Sequence, residues 1–238
     1  YDAMRRGAEV KTSMVNPATA AAFFERALAQ GDDVLYVGMS GGISGTAHAA
    51  ALAAEELREK YPHAKIMTID TYAASLGEGL QVLEAAELLR AGRSFEEVGD
   101  RILARRPHMC QFFTVDDLNF LKRSGRVSGA TAMIGTVLNI KPILYGDATG
   151  HIVSCGKVRG RKKAIDAIVE KYAQKQMDAE HRVVAISHGD CPEEAELLAE
   201  KIRAVANPGK LIIVPHEPFS GAHVGPGMLA LFFYGSER

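Results

Sequence analysis

The sequence predicts an α/β protein with two domains, and two observations carry that prediction. In the first half of the chain, apolar runs of strand length at 34–39 and 65–70 alternate with helical patterns, which indicates parallel strands joined by right-handed crossovers. In the second half, apolar runs at 138–145 and 151–158 flank a turn sequence at 146–150, which is typical of a β-hairpin. The sequence therefore predicts a parallel-sheet α/β domain followed by a second α/β domain that contains a hairpin.

Properties of the whole chain set the domain boundary and exclude some classes of protein. A chain of 238 residues can form two small domains, and we place them at 1–106 and 107–238. The net charge is −1 and no apolar run approaches transmembrane length, so we expect no nucleic-acid partner and no stable membrane insertion. Three widely spaced cysteines argue against a disulfide framework or a zinc site, and they favour the cytoplasm.

The first half has clear signals for the starts of helices. Asn16 before Pro17 is typical of an N-cap followed by proline at the first helical position. Ser94 and Glu97 match the capping-box pattern. The predicted elements are, in order, a helix ended by Gly31, the strand at 34–39, a helix at 47–60, the strand at 65–70, a helix at 75–90 and a helix from 95 to about 105.

The second half is predicted from its apolar patterning. The predicted elements are, in order, a strand at 111–115, a short helix at 116–122, a stretch rich in Gly, Ser and Ala at 124–135, the two hairpin strands, a helix that includes 165–172, a strand at 182–187, a helix opened by Asp190 and Pro192, and strands at 211–214 and 229–234. We expect 221–227 to be a loop between the last two strands.

The loop at 40–46 is the strongest candidate for a ligand site. It reads Ser40-Gly41-Gly42-Ile43-Ser44-Gly45-Thr46 and lies between a predicted strand and a predicted helix. The first amides of a helix have no partner within it and carry partial positive charge, so such a loop can hold an anion. Because the loop has neither a P-loop lysine nor the glycine spacing of a dinucleotide fold, it favours a carboxylate or phosphate site. A plain strand-to-helix turn is the alternative.

Short polar motifs occur along the chain in a characteristic order. They are Thr12-Ser13, Ser44-Gly45-Thr46, Asp117-Leu118, Leu121-Lys122, Gly125-Arg126-Val127-Ser128, Leu138-Asn139-Ile140-Lys141-Pro142-Ile143-Leu144 and His223-Val224-Gly225-Pro226-Gly227. Together they resemble the DegV family of bacterial fatty-acid-binding proteins and cover nearly the whole chain. The Asn-Ile-Lys-Pro and Gly-Pro-Gly sequences are the most specific. The resemblance implies the two-domain α/β fold of that family.

Two features depart from that family's pattern. Its chains usually open with a strand carrying an Asp-Ser motif, and no such strand precedes Tyr1 here. We therefore expect 34–39 to be the first long strand of its sheet, with one unpaired edge. The family's loop often reads Ser-Ser-x-Leu-Ser-Gly-Thr, and Gly41 stands at the second serine, which removes one possible hydroxyl contact.

The resemblance implies a bound long-chain fatty acid, and it implies no cofactor, metal or catalytic residue in this chain. The residues that it implies at the carboxylate are Thr12, Ser13, Ser40, Ser44, Gly45, Thr46 and His223. The tail would lie in an apolar tunnel, where each buried methylene contributes about 0.8 kcal/mol. The buried head would need fixed hydrogen-bond donors. A separate ATP-dependent fatty acid kinase subunit would phosphorylate the carboxylate, so this chain would be an acyl carrier.

Basic residues are candidate contacts for that kinase, although each is also typical of solvated surface charge. Arginine suits an acidic or phosphate-bearing surface. The candidates are Lys122, Arg126, Arg159 and Arg161. The last two belong to a basic run at 159–163 that is also typical of an exposed helix start.

Two other functions stay open on the sequence. The first is a phosphotransferase that uses the loop at 40–46 as its own phosphate site. Such an enzyme needs grouped carboxylates for Mg²⁺, whereas the aspartates at predicted strand ends are scattered along the chain. The second is a regulator for which the fatty acid is a signal.

Overall fold

The computed structural model describes residues 1–127, 139–178 and 182–238. Two predicted features therefore lie partly outside the described residues. One is the stretch rich in Gly, Ser and Ala, from Ser128 onward, and the other is Leu138 at the predicted start of the hairpin. Along the described residues, no helix combines the length and the apolarity needed to cross a lipid bilayer.

The described residues form two compact units. The small unit comprises Ser13–Ala74 and Glu78–Pro107, and the large unit comprises Tyr1–Thr12, Ser75–Gly77 and His108–Arg238. The division after Pro107 is one residue from the boundary that we placed on the sequence. However, Tyr1–Thr12 and Ser75–Gly77 group with the C-terminal part of the chain. The two units therefore cannot be divided by a single boundary in the sequence.

The elements follow the predicted order. They are α1 (Asp2–Arg5), α2 (Pro17–Leu28), β1 (Val34–Gly38), α3 (Thr46–Lys60), β2 (Ile66–Asp70), α4 (Leu76–Arg90), α5 (Phe95–Arg105), β3 (Met109–Thr114), α6 (Asn119–Ser124), β4 (Ile140–Gly146), β5 (Ile152–Arg159), α7 (Arg161–Lys175), β6 (Val183–His188), α8 (Pro192–Val205), β7 (Lys210–Pro215), α9 (Pro218–Val224) and β8 (Leu229–Tyr234). A 3₁₀ turn at Arg106–His108 precedes β3.

The small unit is built on a two-stranded parallel sheet. β1 and β2 pair from Val34 opposite Ile66 to Gly38 opposite Asp70, and α3 makes the crossover that parallel strands require. The predicted parallel pairing is therefore confirmed. Because the strands end side by side, the loop after β1 starts next to the residues that follow β2. Residues 1–15 include α1 and no strand, and in the described part of the chain β1 pairs only with β2.

The helix-start signals of the small unit work as the sequence predicts. The Asn16 side chain accepts a hydrogen bond from the Thr19 amide at 2.8 Å, which caps α2. At α5, Ser94 and Glu97 make both bonds of the capping box. An alanine-rich face of α3 packs against α2, β1 and β2 in one buried cluster.

The large unit is built on a six-stranded mixed sheet in the order β5-β4-β3-β8-β6-β7. Among the described strands of this sheet only β6 and β7 pair in parallel, and β4 and β5 form the predicted antiparallel hairpin. α7 and α8 bury apolar faces on β3, β6 and β8 in a cluster that includes Ile168, Leu198 and Phe233. This core holds the carboxyl end of β6 and the amino end of β8 in place.

Two local predictions were wrong. The short helix starts at Asn119 rather than 116, because the Asp117 side chain accepts a hydrogen bond from the Asn119 amide at 2.9 Å and holds a turn there. The predicted loop at 221–227 is helical up to Val224. Pro218 opens α9, and Gly225, with φ +79°, follows its last residue.

Candidate functional site

The loop at 40–46 is organised by a buried serine. Ser40 is fully buried, and its amide donates to the Ala73 carbonyl at 2.8 Å. Its Oγ accepts from the Gly42 amide at 3.1 Å, and its carbonyl accepts from the amides of Ile43 and Ser44 at 3.2 and 3.1 Å. Ser40 therefore shapes the loop through contacts inside the chain.

Asp70 is a partner of this loop that the sequence analysis did not identify. Its Oδ2 accepts from the Gly41 amide at 2.9 Å, and its Oδ1 accepts from the Tyr72 amide at 2.9 Å. A Cβ at position 41 would lie 2.7 Å from Asp70 Oδ2. A side chain at position 41 would therefore require the Asp70 carboxylate to shift. The in-register pairing of β1 with β2 brings the two together.

These contacts change the predicted chemistry of the loop. The amides of Gly41, Gly42, Ile43 and Ser44 already have acceptors inside the chain, and the Thr46 amide donates to Ser44 Oγ at 3.3 Å. These five amides are therefore engaged inside the chain. The hydroxyls of Ser44 and Thr46, and the first amides of α3, which have no partner within the helix, remain to contact a ligand.

Two of the predicted hydroxyls lie together at the start of α3. Ser44 Oγ donates to Thr46 Oγ1 at 3.1 Å, and the Val15 amide donates to the same Thr46 oxygen at 3.3 Å. Both side chains are half-buried. The side chain of Met14 packs over Gly45 so closely that a Cβ there would overlap its sulfur. Because Thr46 Oγ1 accepts two hydrogen bonds, its own hydrogen is left to donate to a ligand.

The large unit holds a second pair of predicted residues. Thr12 Oγ1 and His223 Nε2 are hydrogen-bonded at 2.7 Å, and His223 lies in the last turn of α9. Burial, together with the charge of Arg126, lowers the pKa of His223. Within the described residues the Nδ1 atom of His223 is buried without a hydrogen-bond partner. The imidazole is therefore neutral at pH 7, and it can exchange hydrogen bonds without carrying charge.

The structure distributes the predicted carboxylate residues between the two units. Thr12 and His223 belong to the large unit. The small unit contains the others, namely Ser13, Ser40, Ser44, Gly45 and Thr46. Ser13 is exposed, as is Thr12.

The predicted docking residues differ in their surroundings. Arg159 is exposed at the end of β5, and Lys122 is half-buried in α6. Arg161 is not a solvated residue at the start of a helix. Its side chain is 16% exposed, and it pairs with Glu194 at 2.6 Å and Asp116 at 3.6 Å. Arg161 therefore links α7 to α8 and to the segment after β3, and it does not occupy the solvated position that the sequence favours.

A buried histidine cluster was missed on the sequence. The ring of His216 is hydrogen-bonded through Nδ1 to Ser187 and Ser75 at 3.0 and 3.2 Å, and through Nε2 to Ser220 at 2.8 Å. The Glu217 carboxylate accepts from Ser75 Oγ at 2.9 Å and from the Ser220 hydroxyl. This network ties the start of α9, the helix that carries His223, to β6. The only signal in the sequence was His216-Glu217 between an apolar run and Pro218.

Metal-binding groups are absent from the part of the chain that the structure describes. There, no group of three or more His, Cys, Asp or Glu side chains is arranged to hold a metal ion. Cys110, Cys155 and Cys191 are free thiols.

The comparison with known proteins agrees with the motifs. The family model described as "Uncharacterised protein, DegV family" matches residues 1–236. A DegV domain-containing protein of Clostridium perfringens is 38% identical over 239 aligned positions, which cover 100% of this chain and 82% of that protein.

Solved structures agree as well. One, described as showing fatty acid binding of a DegV family protein from Thermus thermophilus, is 32% identical, with a TM-score of 0.87 over 98% of this chain and 82% of that one. A fatty acid binding DegV family protein from Streptococcus agalactiae is 30% identical, with a TM-score of 0.86 over the same shares. The motifs, the fold and the family model agree, and this chain belongs to the DegV family.

Proposed function

We propose that this chain binds one long-chain fatty acid and presents its carboxylate to a separate ATP-dependent kinase. The observation that carries the proposal is the match to solved relatives at 30% identity or more that are described as fatty acid binding. The half-buried hydroxyls at the start of α3 support it, because a carboxylate brought out of water needs charge-assisted hydrogen bonds. We assign the head-group contact to Ser44 and Thr46, and we assign to Ser40 the shaping of their loop.

The second step of the proposal is phosphorylation of the bound acid. A carboxylate oxygen attacks the γ-phosphorus of the ATP held by the kinase, the bond from that phosphorus to the bridging oxygen breaks, and ADP leaves. The product is an acyl phosphate. We assign to Thr12 and His223 the presentation of the carboxylate for this step, with Lys122, Arg126 and Arg159 as candidate kinase contacts and the cytoplasm as the compartment.

The Asp70 contact argues against the loop as a phosphate site of an autonomous phosphotransferase. Such a site holds phosphate with backbone amides. Here the Gly41 amide already donates to a carboxylate, and a second anion at that amide would be repelled. The hydroxyl pair at Ser44 and Thr46 suits a singly charged carboxylate better.

Native mass spectrometry tests the carrier function directly. We expect the purified protein to carry a fatty acid mass that organic extraction removes and that added long-chain acid restores with micromolar affinity or tighter. Thr19→Ala, which removes an exposed hydroxyl from α2, is the matched control for changes at Ser44 and Thr46. A protein that holds no acyl chain and binds no added acid would contradict the proposal.

A further inference from the structure

Met14 packs against the loop that leads into α3, within the small unit. Its sulfur would lie 2.5 Å from a Cβ at Gly45, so the thioether is in close contact with that glycine. Gly45 stands between Ser44 and Thr46, the two residues that we assign to the carboxylate. The next residue, Val15, donates its amide to Thr46 Oγ1 at 3.3 Å. Packing and a backbone hydrogen bond therefore hold Met14 beside the proposed head-group contact.

The Met14 side chain is also open to solvent. It is 56% exposed, and Met177, which follows α7, is the other methionine that is exposed in the described part of the chain, at 50%. Met109 and Met228 are buried, with 1% exposure or less. A peroxide oxidises a thioether that it can reach, so exposure selects the methionines that react. Met14 therefore combines access to an oxidant with a contact at the ligand site, whereas Met177 has the access alone.

Oxidation changes what the Met14 side chain offers to its neighbours. A thioether is apolar and accepts hydrogen bonds weakly, whereas a sulfoxide is polar and larger. The close contact with Gly45 is therefore disturbed when the sulfur gains an oxygen atom. The donors next to that contact are the Thr46 hydroxyl, whose hydrogen is left to donate, and the first amides of α3. These are the same groups that a bound carboxylate needs.

We propose that Met14 is an oxidation site through which a peroxide lowers the affinity of this chain for its fatty acid. Hydrogen peroxide transfers one oxygen atom to the sulfur and leaves as water, so the thioether is oxidised by two electrons and the peroxide is reduced. The sulfoxide oxygen then accepts a hydrogen bond from the Thr46 hydroxyl, in competition with the carboxylate. The inference rests on the proposed function, because it concerns regulation of the same head-group site.

Titration of the full chain with oleic acid, before and after treatment with hydrogen peroxide, tests the inference. Its bound lipid is first removed, and peptide mass spectrometry measures the sulfoxide at each methionine. We expect Met14 and Met177 to gain oxygen faster than Met109 and Met228. The affinity for oleic acid should fall about tenfold or more, because the carboxylate loses a hydrogen bond to a charged group.

The loss of affinity should be reversible. A methionine sulfoxide reductase supplied with a thiol removes the oxygen as water, while two thiols are oxidised to a disulfide. We expect this treatment to restore both the mass of the Met14 peptide and the affinity for oleic acid.

Met14→Leu and Met177→Leu are matched variants, since each replaces one exposed thioether by a side chain of similar volume. Peroxide should not change the affinity of Met14→Leu, whereas it should weaken Met177→Leu as much as the unchanged protein. Both variants retain the three cysteines. An effect of cysteine oxidation would therefore persist in Met14→Leu.

Equal sensitivity to peroxide in Met14→Leu and in the unchanged protein would overturn the inference. Full affinity in a sample whose Met14 is completely oxidised would overturn it as well. Failure of the proposed function looks different, because a chain that binds no oleic acid before treatment contradicts the carrier function. A chain that binds oleic acid equally before and after oxidation of Met14 overturns this inference alone.

Discussion

Ser44 and His223 illustrate how single residues divide the proposed work. Ser44 precedes α3 and its hydroxyl is bonded to that of Thr46, and we propose that it contacts the carboxylate. His223 lies at the end of a short helix and is bonded to Thr12, and burial lowers its pKa. The two belong to different compact units of the chain. Their different proposed roles predict that changes at the two positions have different consequences.

The first prediction compares Ser44→Ala with His223→Ala. We expect Ser44→Ala to weaken fatty acid binding by roughly ten- to a hundredfold, because one hydrogen bond to a charged group contributes about 1.5–3 kcal/mol. His223→Ala should bind the acid almost normally but reduce acyl phosphate formation when the kinase and ATP are supplied. Fatty acid titration and the coupled kinase assay measure the two effects. An equal loss of binding in both variants would make His223 another head-group ligand.

The second prediction concerns the pH dependence of stability. Burial lowers the pKa of His216, against the opposing charge of Glu217, and the pKa of His223 is lowered as well. A histidine whose pKa is lower in the folded chain stabilises the fold fully above its ordinary value of 6.5. That contribution is lost as the pH falls from 6.5 through the folded-state pKa. We therefore expect the free energy of unfolding to decrease on going from about pH 7.5 to 5.

Urea denaturation at several pH values measures this decrease. His216→Gln should reduce the slope of the unfolding free energy against pH, because the variant has no imidazole at position 216 to bind a proton on unfolding. His63→Gln, at an exposed position, is the control and should keep the slope of the unchanged protein. An unaltered pH dependence in His216→Gln would show that the buried histidine is not responsible.

At the scale of elements, side chains fix both ends of α9. Its start is held by the network of His216, Glu217 and Ser220, and Gly225 follows its end with φ +79°. The Phe120 ring of α6 packs on that glycine. These contacts determine the position of His223.

The third prediction separates backbone strain from packing at Gly225. Gly92 has the same φ, +79°, but a Cβ there would meet nothing within 4 Å. We expect Gly92→Ala to cost roughly 1–2 kcal/mol of unfolding free energy from the left-handed backbone alone. Gly225→Ala should cost about 1–3 kcal/mol more, because its Cβ overlaps the Phe120 ring and because its ψ of 173° places it in a region almost restricted to glycine. Denaturation measures both, and replacing Phe120 by Leu should recover part of the extra loss. Equal losses in the two alanine variants would exclude the packing contribution.

At the scale of the whole molecule, the unit with the parallel two-stranded sheet carries the Ser44 and Thr46 hydroxyls, and the unit with the mixed sheet carries the Thr12–His223 pair. The loop at 40–46 lacks a P-loop lysine. The function that we propose assigns the chemistry of ATP to a partner kinase.

The fourth prediction follows from this division of labour. We expect the purified chain alone to hydrolyse no ATP above the buffer rate, and acyl phosphate to form only when the kinase is added. Release of inorganic phosphate measures the first, and trapping of the acyl phosphate with hydroxylamine measures the second. ATP turnover by the chain alone that disappears in Ser44→Ala would support the phosphotransferase instead.

The sequence by itself determined the elements that depend on neighbours in the chain. The cap at Asn16, the capping box at Ser94, the hairpin strands and the strand–helix alternation involve residues a few positions apart, so local pattern was sufficient for them. The family followed from motifs, because their order is a property of the sequence. The loop predicted at 221–227 failed for a local reason, since Pro218 outweighed the glycines of that stretch.

Tertiary structure alone decided the chemistry of the sites, because it depends on groups that are distant in the sequence. Asp70 reaches the Gly41 amide only through the register of β1 and β2, and it thereby engages one amide of the loop that the sequence left available to an anion. The burial of Arg161 required α7 and α8 to pack side by side. His216 meets a serine 141 positions away. Composition and spacing contain no information about such contacts. The contacts form only when the free energy of long-range packing offsets the entropy lost in closing the chain between the two residues.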